Sequence, residues 1–345
     1  MSRRTQKRKV RSMLIVLLLT AMLLVSSTYA WFSTNRKVQI TDITARVVAA
    51  EGLQISLDGS KWSSSVSVTP TTLATAGQSA SATGTKLSWP TALEPVSTIG
   101  ETSGSDIVFK YGVLESSGDD LSTITTAAIN SDKYIAFDVY LKNSSSNTSG
   151  DELQLDIGSN IAINTTNGVA NTGLENSVRV GFALFNSSLG FTADVADIVA
   201  ISGASKVCIW EPNFNRHITQ IVNQDSRISS GTQRIQTFGL LSGATGDQTG
   251  VVTTTTAITD VCDLQYTLET ANEITGNAIT LQDFRTDPTN PEDFMLGQNK
   301  IMKMRVYVWL EGQDPDCLDI ASTGKQFDLA INLRKPDPPA SPASP

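Results

Sequence analysis

Apolar residues recur at every second position in four stretches of the chain. Ile135, Phe137, Val139 and Leu141 alternate with Tyr134, Ala136, Asp138, Tyr140 and Lys142. Val178, Val180, Phe182 and Leu184 alternate with Arg179, Gly181 and Ala183. Met302, Met304, Val306, Val308 and Leu310 alternate with Lys303, Arg305, Tyr307 and Trp309, and Phe327, Leu329, Ile331 and Leu333 with Asp328, Ala330, Asn332 and Arg334. A period of two places successive side chains on opposite faces of a β-strand, so each first set predicts a core face and each second set a face toward water. Shorter strands are predicted at Leu53-Ile55-Leu57, over 107–113 and at Leu153-Leu155-Ile157. Helical periodicity is scarce, and only 193–200 predicts a short helix.

Runs of Ser, Thr, Gly and Asn separate these segments at 63–85, 116–126, 143–150 and 242–256. Such runs cannot bury enough apolar surface for a core and predict long loops. The expected fold class is all-β: an antiparallel β-sandwich with jelly-roll-like connections and long Ser/Thr/Gly-rich loops, over 51–335. That length leaves room for a large insertion or a second β domain. Residues 336–345, PDPPASPASP, predict an extended, solvated tail.

The pattern changes near the start. Arg3, Arg4, Lys7, Arg8, Lys9 and Arg11 precede an uncharged apolar run over 13–25, which is followed by Ser26, Ser27, Thr28, Tyr29 and Ala30. A positive start, a short apolar stretch and a small-residue site compose a secretory signal, so residues 1–30 are predicted to be removed between Ala30 and Trp31. The alternative is a retained anchor, since 13–32 is long enough to span roughly 30 Å of bilayer. Arg3-Arg4 is similar to the start of a twin-arginine signal, but Thr5-Gln6 follow where that signal is apolar. No glycine precedes the run, as a type IV pilin leader requires.

Removing the leader exposes WFSTNRKVQITDITARVVAA. Val38 and Ile40 suit one strand face, and Ala45 and Val47 another after a break near Asp42. The segment 31–50 is either the first strand of its own domain or a donor strand that adds to a neighbour's sheet edge through main-chain hydrogen bonds.

Composition narrows the partners. The chain of 345 residues has 26 Lys plus Arg and 34 Asp plus Glu, and loss of the six leader cations moves the formal charge from −8 to near −14. So acidic a surface repels phosphate backbones, which argues against nucleic-acid binding. Cys208, Cys262 and Cys317 contain no C-x-x-C pair and allow one internal disulfide with three pairings, the third thiol being buried or an intermolecular link.

Candidate chemistry is sparse. Glu311, Asp314, Asp316 and Asp319 stand close together after a strand, and carboxylates on a loop can bind calcium, a hard cation that takes oxygen ligands. The spacing is not that of an EF-hand, and Asp-Pro also makes an ordinary turn. Asp287, Glu292 and Asp293 read as a similar solvated turn. His217 is the single histidine and reads as a polar loop residue, without a G-x-S-x-G elbow or the several His ligands of a metal hydrolase. No catalytic residues and no cofactor are assigned. Trp62, Trp210 and Trp309 are either sugar-stacking platforms or packing residues. The N-x-S/T triplets at Asn143, Asn147, Asn164 and Asn186 agree with surface loops.

The junction Ser27-Thr28-Tyr29-Ala30-Trp31-Phe32-Ser33 resembles the signal-peptide junction of the TasA and camelysin group of Gram-positive surface proteins, with Ser-Ser where that group often has Gly-Gly. The phrases GLQISLDGSKW, YIAFDVYLKN, IWEPN and VWLEGQDPDC are similar to a set in uncharacterised exported proteins with the same leader. The resemblance implies removal of the leader by a dedicated SipW-type signal peptidase. It also implies a jelly-roll subunit that assembles into extracellular fibres, the N-terminal segment of one copy completing its neighbour's sheet. The functional expectation is a secreted structural protein of the cell surface or biofilm matrix, without catalysis, that self-associates. The alternatives are a carbohydrate-binding or adhesive surface module, or a signal-anchored surface protein.

Overall fold

The computed structural model describes residues 38–39, 44–49, 52–79, 87–98, 102–114, 121–126, 133–148, 150–155, 159–203, 206–213, 216–224, 237–240, 251–253, 262–263, 295–312, 314 and 316–335. The strands that build its two main sheets are β1 (Thr44–Ala49), β2 (Leu53–Ser56), β3 (Ser65–Val68), β4 (Leu87–Ser88), β5 (Ile135–Asn143), β6 (Gln154–Leu155), β7 (Asn160–Ile163), β8 (Val178–Phe185), β9 (Lys206–Trp210), β10 (Cys262–Asp263), β11 (Ile301–Leu310) and β12 (Phe327–Arg334). A central sheet runs β10-β9-β8-β11-β5-β2, with β4 also on β5. An outer sheet runs β6-β12-β1-β3, with β7 also on β12. Neighbours in both are antiparallel except β9 with β10 and β1 with β12. The fold is all-β.

The alternating apolar sets meet as predicted. The first sets of β5, β8, β11 and β12 lie in one cluster between the two sheets, each at most 2% exposed, together with Ala45 and Val47 of β1 and Leu53 and Ile55 of β2. At roughly 1.5–3 kcal/mol per fully buried large aliphatic side chain, this layer dominates the favourable side of folding.

The second sets overturn the expectation of a face toward water. Tyr134, Ala136, Asp138, Tyr140, Arg179, Ala183, Tyr307 and Trp309 are at most 1% exposed. A covering layer lies over this second face of the central sheet: Val96, Ile107, Phe109, Ile198 and Ile201 join its Tyr134, Ala136, Tyr307 and Trp309 in a separate cluster. Val96 is tied there by main-chain bonds to Leu310 and Gly312. Only β12 keeps the predicted asymmetry, with Asp328, Ala330, Asn332 and Arg334 half-buried.

Three expected loops contain regular structure, the run 242–256 by a short strand at Val251–Thr253 paired with Thr237–Leu240. The run 63–85 holds β3 and the helix α1 (Pro70–Thr75). Thr69 caps that helix: its hydroxyl accepts from the Thr72 N–H at 3.2 Å, and the Thr72 hydroxyl accepts from the Thr69 N–H at 2.8 Å. Thr72 thus stands where Glu or Gln usually closes a capping box, and Pro70 pre-sets the first turn. The run 116–126 includes a strand at Leu121–Thr126, paired with Lys110–Leu114. The helix expected over 193–200 is present at Val195–Val199.

Candidate functional site

The N-terminal strand is seated inside the chain's own outer sheet. β1 pairs in parallel with β12 from Thr44↔Asp328 to Ala49↔Leu333, and antiparallel with β3 from Ala45↔Val68 to Val48↔Ser65. Ala45 and Val47 face the core at 1% and 0% exposure, while Arg46 is exposed. Val38 belongs to a separate two-residue strand, Val38–Gln39, against Ala92–Leu93, and Ile40 lies outside the described residues. Val38–Gln39 and β1 are thus separate strands with different partners, and β1 is part of the sandwich. The cleavage position at Ala30 and Trp31 and the tail at 336–345 also lie outside the described residues. Among those described, no helix is long and apolar enough to cross a membrane.

The covered face of the central sheet carries a buried ionic brace. On β11, Arg305 donates to both oxygens of Asp138 on β5, Nε at 2.6 Å and Nη2 at 3.0 Å, and its Nη1 reaches Asp106 at 3.0 Å. Lys303 lies 3.5 Å from Asp138 and donates to the carbonyl of Ile201 at 2.8 Å. Burial outweighs Asp138 and holds the Lys303 ammonium pKa below its usual range. Burial acts the same way on Arg305, but the hydrogen bonds and charge of Asp138 outweigh it and raise that pKa. Aromatic rings wrap the brace, with Phe109 stacked on Tyr134 at 4.4 Å and edge-on to Trp309 at 5.1 Å. Each of these charges meets protein groups, which suits a cross-brace between layers.

The acidic loop after β11 is a second buried cluster, which corrects the reading of a solvated carboxylate turn. Glu311, Asp314 and Asp316 are 0%, 3% and 0% exposed. Protein side chains meet them. Arg179, on β8, lies 2.5 Å from Asp314 and 2.5 Å from Glu211, and His217 lies 2.5 Å from Asp316. Asp316 also accepts from the Ile218 N–H at 2.7 Å, and Glu311 accepts from the Trp309 indole at 3.1 Å. Burial lowers the Arg179 pKa, but Glu211, Asp314 and Glu311 outweigh it and raise it above the ordinary value. Burial pushes Asp314 up to about 6 against the pull of Arg179.

The loop is held by close backbone approach. Gly173 adopts φ +83°, and a Cβ there would stand 2.2 Å from the Asp316 carbonyl oxygen. Among the described residues no group of three or more His, Cys, Asp or Glu side chains is arranged to hold a metal ion. The calcium candidates are thus engaged with Arg179, His217 and Trp309, and the side chain of Asp319 lies outside the described residues. His217, expected as a polar loop residue, has a side chain only 2% exposed. Arg179 escaped the sequence reading because it alternates with Val178 and Val180 like any outward strand residue.

Of the three tryptophans considered as sugar platforms, Trp210 and Trp309 are core residues at 2% and 0% exposure. Trp62 is half-buried and lines a cleft of about 220 Å³ with Leu57, Asp58, Lys61, Val66 and Thr72. The Lys142 ammonium sits 5.2 Å from its ring centroid. Asp58 Oδ1 accepts from the Ser60 and Lys61 N–H groups, each at 2.7 Å. Burial tends to raise the Asp58 pKa, but these bonds outweigh it and hold the carboxyl below its usual range.

Compared with known proteins, the chain matches no family model, no curated protein and no solved structure.

Proposed function

We propose that the chain is a secreted structural protein of a Gram-positive cell surface or biofilm matrix, a fibre subunit that assembles by strand addition. The observation that carries this reading is the parallel seating of β1 between β12 and β3. A parallel neighbour cannot be reached by a hairpin, so the β1–β12 pairing joins the two extremes of the described chain, while β3 on the other side of β1 is a near neighbour in sequence. Ala45, Val47 and Ala49 fill its core positions. The same slot accepts the same strand from a second copy, through main-chain bonds that fix position and side-chain pockets that fix register. The leader resemblance supports export, with Trp31 as the first residue after cleavage by a dedicated signal peptidase.

The test is a lock. Arg46 and Ala330 are register partners across the β1–β12 ladder. In the double variant Arg46→Cys/Ala330→Cys, an oxidised bridge holds β1 in its own chain. Negative-stain microscopy should then show filaments from the processed wild type, none from the bridged variant, and their return on reduction. Filaments from the bridged variant would rule out strand addition. Mass spectrometry of the exported protein checks the leader, and an intact 13–25 segment would defeat the processing claim.

A second reading, a carbohydrate-binding surface module, is favoured by the Trp62 cleft. A half-buried indole beside an ionised carboxylate, an ammonium and hydroxyls suits the apolar face and hydroxyl rim of a sugar. Retention of a monomeric protein on a glycan array, lost in Trp62→Ala, would support this reading over the first.

A further inference from the structure

We infer that the pairing of β1 with β12 is a mechanical clamp that resists tension between the two ends of the chain. The inference goes beyond fibre assembly, since it needs only the pairing within one chain. Parallel strands begin at the same pole: Thr44 is opposite Asp328, and five positions on Ala49 is opposite Leu333. The chain preceding β1 therefore joins the sheet at one pole, and the chain following β12 departs from the other. A pull between those two points draws the strands past each other along their own axes.

The hydrogen bonds of a parallel ladder are evenly spaced and slanted across the gap between strands, so such a pull loads the whole set together and none can break first without its neighbours. If the strands were antiparallel, the same two attachment points would lie at one pole, and the ladder would open one bond at a time. Both strands are also gripped on their far edges. β1 is held by four register pairs to β3, from Ala45↔Val68 to Val48↔Ser65. β12 is held by β7 from Asn160↔Ala330 to Ile163↔Phe327 and by β6 at Gln154↔Arg334 and Leu155↔Leu333. Sliding is opposed a second time by the core. Ala45 and Val47 face inward and Arg46 is exposed, so a slip of one residue turns the guanidinium toward the apolar layer.

Single-molecule force spectroscopy on the processed monomer tests this without a destabilising variant. Held by its two ends, the chain should give a single high-force rupture, because forced unfolding reports the barrier crossed under load. The comparison geometry keeps the N-terminal handle and moves the other to an azide-bearing residue in place of Thr323, an exposed position just before β12. There both handles pull from the same pole, and the high-force rupture should be lost. Val38–Gln39 peels from Ala92–Leu93 ahead of the clamp, so equal rupture forces in the two geometries, or stepwise low-force opening of the β1–β12 ladder itself, would overturn it. Because the molecule tested is a monomer, a failure here is separable from a failure of strand addition.

Discussion

The two sheets are written in the same alternating code and use it differently. In β12 the inward set is buried and the outward set is half-buried, the expected arrangement for a sheet with one wet face. In β5, β8 and β11 both sets are buried apart from the half-buried Lys142, because a further layer covers the central sheet. Its inner face is aliphatic with Phe137, Phe182 and Trp210, and is held by close packing. Its covered face mixes aromatic rings with Asp138, Lys303, Arg305 and Arg179, and every charge there has to be met. The difference teaches that alternation reports two unlike faces, not one dry and one wet.

Substitutions on the two sheets should separate them sharply. Asp138→Ala leaves Arg305 and Lys303 without their shared carboxylate in a dry layer, and should cost about 3–5 kcal/mol in urea unfolding. Replacing Asp138, Lys303 and Arg305 together by apolar residues of similar volume should recover most of that loss. If the triple variant is as unstable as Asp138→Ala, the covered face needs its charges for more than mutual compensation. Gly173→Ala sets a side chain against the Asp316 carbonyl at a positive φ and should cost about 1–3 kcal/mol. A neutral outcome would mean that the acidic loop moves aside freely.

On the outer sheet the corresponding change is mild. Asp328 on β12 accepts from the Asn164 amide at 3.0 and 3.1 Å in a half-buried setting. Asp328→Ala should cost about 0.5–1.5 kcal/mol, and a loss as large as that of Asp138→Ala would erase the contrast.

The smallest effect is a pH dependence. Asp314 titrates at about 6 in the folded chain against an ordinary 3.8, so the folded state holds its proton more tightly. Its contribution is fully present below pH 3.8 and is lost as pH rises through about 6. The wild type should therefore gain thermal stability relative to Asp314→Asn as pH falls from 7 to 5. A difference in Tm that stays constant across that range would show that Asp314 does not titrate there.

The long strands were legible because period two survives in any environment. Ile135 to Leu141 and Met302 to Leu310 need no context to be recognised. What covers the second face was not legible, since Val96, Ile107, Phe109, Ile198 and Ile201 come from segments with no common period. One signal stood in plain view: Tyr307 and Trp309 on the same strand face are too large and apolar for a routine wet surface. Helix α1 was hidden by its own composition, as a Thr-Pro-Thr-Thr start reads as loop until Leu73 is seen at 0% exposure. The carboxylates of the acidic loop were found as a group, but their partners Arg179 and His217 are far away in sequence, and only the fold unites them.

The open flank of the outer sheet is β3, four residues long and closed by Pro70 at the start of α1. It offers a passing strand little backbone to grip and an exposed Ser67 where an apolar surface would be needed. A strand arriving from another molecule therefore finds little to pair with along β3.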